Sequence, residues 1–119
     1  MNCKVIVVEN FRREAKRLVK KYASLKDELL ELEKELLQNP RFGTSLGKNI
    51  YKIRVAVKSK GKGKSGGLRV ITRLIEIQMR ITENSPQTDV YLLSIYDKSE
   101  QSAISDKKLK ELIDDLIIE

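Results

Sequence analysis

Basic side chains recur at strand spacing in two stretches of the middle of the chain. Residues 49–58 read Asn-Ile-Tyr-Lys-Ile-Arg-Val-Ala-Val-Lys, which places Lys52 and Arg54 two positions apart. A second apolar stretch carries Arg69 and Arg73. Side chains two apart on a strand lie on one face. If the two strands pair as an antiparallel hairpin, these cations share one surface.

Such a group of cations suits phosphate chemistry. Arginine presents a planar fork that fits phosphate oxygens, and a lysine among other cations gives up its proton more readily. Together they could bind a scissile phosphate, activate a ribose 2′-hydroxyl and stabilise the charge of the transition state, with no metal or cofactor required. The same side chains could instead only neutralise backbone phosphates. The residues alone leave both interpretations open.

Composition removes several other classes of chemistry. The chain of 119 residues has no His and a single Cys, Cys3. Zinc sites of the Cys/His type, Ser-His-Asp and Cys-His catalysis and an internal disulfide are therefore excluded. No apolar run approaches the length of a membrane span. We expect one domain, residues 1–119, in the reducing cytoplasm, with no membrane association.

The positive charge is concentrated in one segment. The chain carries a net charge of +7, yet residues 41–82 hold eleven basic residues against one acid, Glu76. An ordinary solvated surface mixes both signs, so this segment indicates a polyanion site. Its centre, residues 60–67, contains four glycines and three lysines and predicts a basic loop between two strands. Gly63-Lys64-Ser65 lacks the preceding glycine and the following helix of a phosphate-binding loop.

The elements that must position these cations form an α+β pattern. Residues 2–8 and 90–96 predict strands, the second one in the sheet centre, and residues 68–82 predict a strand with a bulge near Leu74-Ile75. Three amphipathic helices are predicted, with caps at Asn10, Ser24 and Ser105. The first two should form an antiparallel hairpin because so few residues separate them. The expected fold is a small, mainly antiparallel sheet of about four strands, with an N-terminal helical hairpin and a C-terminal helix.

A succession of short motifs then resembles a known family. In order they are Asn39-Pro40-Arg41, Ile50-Tyr51-Lys52-Ile53-Arg54-Val55, Gly67-Leu68-Arg69-Val70-Ile71 and Val90 to Glu100, followed by a helix. This order is similar to that of the RelE/HigB superfamily of bacterial toxins, over nearly the whole chain. The resemblance implies a metal-independent endoribonuclease that cuts mRNA, commonly on the ribosome, by 2′-hydroxyl attack. It also implies a cognate antitoxin that holds the enzyme inactive.

The family's functional positions fall on particular residues of this chain. Lys52 and Arg54 match the two basic positions of the family's first active-site strand, Arg69 matches the arginine after the glycine, and Lys98 falls near a later basic position. Ile104 stands where well-studied members have a tyrosine, so Tyr96 is the nearest aromatic candidate to stack on a base. The expected RNA-binding set is Lys58, Lys60, Lys62, Lys64, Arg73 and Tyr96.

Two other functions remain open beside the nuclease. One is an RNA-binding or ribosome-binding module without catalysis. The other is a ParE-like inhibitor with the same fold, which acts on DNA gyrase through protein contacts. The second would not need so many cations beside the sheet.

The basic loop gives a first testable prediction. Lys58, Lys60, Lys62 and Lys64 should contact phosphates without reading bases, because ammonium groups on a glycine-rich loop lack fixed geometry. Neutralising all four should make the slope of the logarithm of the RNA-binding constant against the logarithm of salt concentration less steep, by the equivalent of up to about four phosphate contacts. Binding measured over a series of salt concentrations checks this, and an unchanged slope would show that the loop points away from the nucleic acid.

Overall fold

A five-stranded, mostly antiparallel sheet forms the centre of the fold. The computed structural model of the chain describes residues 2–60, 67–77 and 87–116. The strands are β1 (Asn2–Val7), β2 (Thr44–Gly47), β3 (Ile50–Val55), β4 (Leu68–Ile77) and β5 (Gln87–Asp97). Their order is β1-β5-β4-β3-β2, and β1 with β5 is the parallel pair. The α+β class is confirmed. The strand that contains Val90–Tyr96 is internal, but β4 rather than this strand lies at the centre of the sheet.

The sheet has one strand more than the sequence predicts. β2 pairs with the start of β3 through a tight turn in which Lys48 and Asn49 have φ of 54° and 62°. Positive φ at both central residues is the geometry of a hairpin turn. The sequence gives no signal here because Lys-Asn is not the usual Asn-Gly pair. In addition, all four residues of β2 are exposed, so no apolar alternation marks the strand.

Three helices lie where the periodicity predicts them, α1 at Glu9–Lys21, α2 at Leu25–Gln38 and α3 at Asp106–Asp114. α1 packs chiefly against β5 and only slightly against α2, while α2 also contacts β1. The sheet therefore holds each helix in place. A self-contained helical hairpin is not established by these contacts.

One of the three predicted caps is present. Ser105 accepts a hydrogen bond of 3.1 Å from the backbone N–H of Lys108 and caps α3. Asn10 is not a cap, because α1 begins one residue earlier and the Asn10 amide is turned towards β5. Ser24 directly precedes α2, but its hydroxyl bonds to the side chains of Glu28 and Ser59. The N-terminus of α2 therefore has no side-chain cap from Ser24. Tertiary contacts override the local preference in both cases.

The sheet separates two apolar cores. On one face, α1 and α2 cover alternate residues of β3 and β4, among them Ile53, Val55 and Val70. On the other face, α3 covers Ile71 and Leu93. Tyr51, Ile53 and Val55 of β3 are all buried, as is Val57 just after the strand. The opposite face of β3 carries Lys52 and Arg54.

The bulge that was predicted in β4 lies in β5 instead. Ile71 is opposite Ser94 but Thr72 is opposite Leu92, so β5 contains one extra residue at Leu93. β4 keeps a single alternation as far as Ile77, and the residues on which the predicted phase change also depended, beyond Ile77, lie outside the described part. β5 changes face at this point because its apolar run has no alternation that would favour one register.

Side chains of α1 form hydrogen bonds with backbone and hydroxyl groups of β5 at the bulge. Asn10 Nδ2 donates to the carbonyl of Leu93 at 3.0 Å. Glu14 Oε1 accepts from Ser94 Oγ at 2.8 Å and from the backbone N–H of Ile95 at 3.3 Å. α1 is thereby attached to β5 by polar contacts as well as by apolar packing.

We predict that Glu14→Ala lowers the free energy of unfolding by about 1–3 kcal/mol, because the donors at the bulge lose their acceptor. Glu14→Gln keeps an acceptor oxygen and should lose less. Glu31→Ala, on the exposed side of α2, should stay within about 0.5 kcal/mol of the wild type. Urea unfolding measures all three, and equal stability of Glu14→Ala and Glu31→Ala would contradict the role of Glu14.

Candidate nucleic-acid interface

The pairing of β3 with β4 places two arginines directly opposite each other. Arg54 is the cross-strand partner of Arg69. The backbone N–H of Leu74 donates to the carbonyl of Asn49 at 2.8 Å, and hydrogen-bonded pairs alternate along an antiparallel ladder. Arg54 and Arg69 therefore form a non-hydrogen-bonded pair, in which Cα atoms approach to about 4.5 Å. Like charges in directly opposed positions destabilise a sheet.

Lys52 lies on the same face as the two arginines. It precedes Arg54 by two residues and is opposite Ile71. Lys52 is partly exposed and Arg54 is exposed, whereas Arg69 is only 4% exposed. The three residues that the family resemblance assigns to the centre of the site thus share one end of one sheet face.

Tyr96 is the cross-strand partner of Arg69 on β5. Its ring is 4% exposed and packs beneath α3, so in this arrangement it is not accessible to a nucleic-acid base. Burial raises the pKa of the Tyr96 hydroxyl, while the charge of Arg69 and a hydrogen bond with the backbone of Ile104 act in the opposite direction. The geometry favours a structural role, in which Tyr96 packs beneath α3 and its hydroxyl bonds to the backbone of Ile104, in the segment before α3.

Lys98 lies beside the same end of the sheet. Its backbone N–H donates to the carbonyl of Gly67 at 3.2 Å, two residues before Arg69. Its exposed ammonium donates to the carbonyl of Ser102 at 2.7 Å. The backbone of Lys98 is therefore near the arginine pair. Its ammonium group stabilises the turn that follows β5.

A buried carboxylate fixes the turn that carries Lys98. Asp97 is fully buried, and it accepts hydrogen bonds from the hydroxyl of Tyr22 and from both the N–H and the hydroxyl of Ser99. Glu100, three residues on, accepts from Arg17 at 2.7 Å and from Lys21 at 3.0 Å. These hydrogen bonds lower the pKa of the Glu100 carboxyl, with Arg17 as the larger cause.

The remaining basic residues of the predicted set are not gathered at this point. Lys58 and Lys60 belong to a short 3₁₀ turn whose backbone docks on the start of α2, and the N–H of Lys58 donates to Glu28 at 2.7 Å. Lys62 and Lys64 lie outside the described residues. Arg73 is on the same face as Arg69 but four residues further along β4, which is about 13 Å.

Arg73 lines a different cavity, of about 550 Å³, between the β2–β3 turn and α3. Among the described residues, its Nε is buried without a hydrogen-bond partner. Glu76, the acid of the basic segment, is paired with Arg41, away from the arginine pair. The charge of Arg54 and Arg69 is therefore not offset by that residue.

Sequence reasoning missed the residues that support the site. No local motif singles out Tyr22, Asp97 or Glu14. Their roles depend on contacts across 75 to 83 positions of sequence, such as Tyr22 with Asp97 and Asn10 with Leu93. Glu14 also bonds to Ser94.

No family model matches this chain, and no solved structure was found to match it. Within the described residues, no group of three or more Asp, Glu, Cys or His side chains could hold a metal ion. None of the helices in residues 2–60, 67–77 and 87–116 is long and apolar enough to cross a membrane.

The buried hydroxyl of Tyr96 leads to a further prediction. Tyr96→Phe should lower the free energy of unfolding by about 0.5–1.5 kcal/mol, because the hydrogen bond with Ile104 is lost. RNA affinity should change by less than about twofold, since the ring already lies beneath α3. Thermal unfolding and RNA binding by fluorescence anisotropy check the two parts. A large loss of RNA affinity in a stably folded variant would instead establish Tyr96 as a base contact.

Proposed function

We propose that this protein is a RelE-like, metal-independent endoribonuclease that cleaves mRNA, and that it acts as the toxin of a cytoplasmic toxin–antitoxin pair. The observation that supports the proposal most is the direct opposition of Arg54 and Arg69, with Lys52 on the same face. Two like charges held together in an otherwise regular ladder cost stability. A phosphate group between them would offset that cost and supply a reason for the arrangement.

The proposed reaction uses these residues in distinct roles. Arg54, which is exposed, holds the scissile phosphate, and the charge of Arg69, which is 4% exposed beside it, helps to stabilise the extra negative charge as the 2′-oxygen attacks phosphorus. Lys52 acts as the base that takes the proton of the 2′-hydroxyl, or assists its ionisation by charge. The bond from phosphorus to the 5′-oxygen breaks, and Lys98 is the candidate proton donor to that oxygen. The products are a 2′,3′-cyclic phosphate and a free 5′-hydroxyl.

An antitoxin would complete this proposal, because a cell could not carry such a nuclease uncontrolled. An acidic partner would be attracted rapidly to the basic segment, and covering Lys52, Arg54 and Arg69 would block RNA directly. Charge reversal at Lys52 and Arg69 would then weaken the complex at low salt.

The test compares Lys52→Ala and Arg54→Ala with the wild type. Both side chains are accessible, so both variants should fold. We expect each to reduce the rate of mRNA cleavage by about 10²–10³-fold, as for the loss of one transition-state donor. Lys34→Ala and Arg12→Ala, which remove exposed cations on the helices, serve as matched controls and should cleave normally.

Growth and mRNA integrity should be followed together during expression of these variants. If the wild type slows growth while mRNA stays intact, the nuclease proposal is wrong and gyrase inhibition gains support. If purified wild type binds mRNA but leaves it uncut, with and without ribosomes, the protein is a binding module without catalysis.

A further inference from the structure

The cavity between the β2–β3 turn and α3 has the size and lining of a small-molecule site. Its volume is about 550 Å³. Its apolar lining comes from both sides, with Leu46 and Ile50 on the hairpin and Leu109 and Ile113 on α3. Leu46 is 43% exposed, so it presents apolar surface that the chain itself leaves uncovered. Small ligands usually bind in cavities with an apolar lining and a few charged or polar groups.

Arg73 lines this cavity and is not committed to a protein partner in the described part of the chain. Its cross-strand neighbours are Ile50 on β3 and Tyr91 on β5, so no carboxylate is opposite it. Among the described residues, none accepts a hydrogen bond from its buried Nε. Buried donors in native proteins are almost always paired. A turn of the guanidinium towards the cavity would break no hydrogen bond at Nε and would give this donor an acceptor.

The charged groups around the cavity leave one positive charge in excess. Lys48, Arg73 and Lys110 bring three positive charges, and Asp106 and Asp114 bring two negative charges. Asp114 accepts a hydrogen bond from Lys110 at 3.1 Å, so these two charges offset each other. A monoanion would therefore neutralise the cavity, whereas a phosphate dianion would leave an excess of negative charge. The arginine fork also matches the two oxygens of a carboxylate.

We propose that this cavity binds a small carboxylate with an apolar or aromatic body. The carboxylate accepts hydrogen bonds from the guanidinium of Arg73. The body lies between the hairpin and α3, where it covers Leu46 and Leu109. Leu112 is the buried residue of α3, so this helix is held to the sheet by a narrow contact. A ligand that joins α3 to the hairpin should therefore stabilise the folded chain.

The site is separate from the proposed nuclease centre. Ile71 lies between Arg69 and Arg73 on one face of β4, and α3 covers it. RNA bound at Arg54 and Arg69 would have to displace α3 to follow the sheet surface to Arg73. The proposal therefore does not rest on the nuclease function, and it assigns Arg73 to a small ligand rather than to RNA.

The probe is naphthoate, a monoanion with two fused aromatic rings, and its binding to the full chain is followed by heteronuclear NMR. We expect a dissociation constant of about 1 mM or lower, as for an ordinary ligand of this size. Neutral naphthamide tests the need for charge, and acetate tests the need for the apolar body. Each should bind at least about tenfold more weakly. Naphthyl phosphate should bind no more tightly than naphthoate.

Two variants, each with a matched control, locate the binding. Arg73→Gln removes the charge, and Leu46→Glu places a carboxylate at an exposed position on the cavity wall. Each should weaken naphthoate binding by about tenfold or more. Arg12→Gln and Leu30→Glu make the same changes at exposed positions on α1 and α2 and should stay within about twofold. Thermal unfolding without ligand establishes that the variants are folded.

Several results would overturn the proposal. It is wrong if naphthoate shows no saturable binding up to about 10 mM. It is also wrong if naphthamide binds equally well, if naphthyl phosphate binds more tightly, or if both cavity variants bind naphthoate as the wild type does. If Arg73→Gln leaves naphthoate binding unchanged but weakens RNA binding by about tenfold, Arg73 belongs to the RNA-binding surface instead.

Discussion

The register between β3 and β4 is the constraint on which the site depends. A shift of one residue would turn Arg54 towards the core of α1 and α2 and move Ile53 to the cationic face. The register is held because Tyr51, Ile53 and Val55 are buried on one side and Ile50 on the other. Apolar burial therefore supplies the free energy that keeps two arginines opposite each other.

Strand β5, which lies between β1 and β4, carries Tyr96 and leads into Lys98, and polar contacts with α1 hold it. Glu14 and Asn10 satisfy the bulge, while Tyr22 reaches Asp97 at the end of the strand. The extra residue at the bulge determines which side chains after it face α3, and Tyr96 is among them. The position of Tyr96, the cross-strand neighbour of Arg69, thus depends on a bulge whose polar groups are bound by α1.

Periodicity predicted the elements well wherever one face is buried. Strand spacing located β3 and the first half of β4, and helical periodicity located the three helices. Prediction failed where the decisive contact is distant in sequence. β2 is exposed and shows no apolar alternation. The Asn10 amide binds a carbonyl of β5 and does not cap the N-terminus of α1. The bulge lies in a nearly continuous apolar run, in which no alternation marks it. Strand spacing places Lys52 and Arg54 on one face, and the pairing of β3 with β4 brings Arg69 opposite Arg54. The burial of Tyr96 depends on the packing of α3, which no local pattern shows.

The central claim is that Arg54 and Arg69 are held together to bind a phosphate, at a cost in stability. Its most direct test is the free energy of unfolding of Arg54→Gln and of the wild type, each with and without an RNA oligonucleotide whose 2′-hydroxyls are methylated to prevent cleavage. Without RNA, the variant should equal the wild type or exceed it by up to about 1 kcal/mol, because a like-charge pair has been removed. The oligonucleotide should stabilise the wild type and leave the variant nearly unchanged. A variant that is less stable than the wild type without RNA, and is stabilised equally by RNA, would contradict the account.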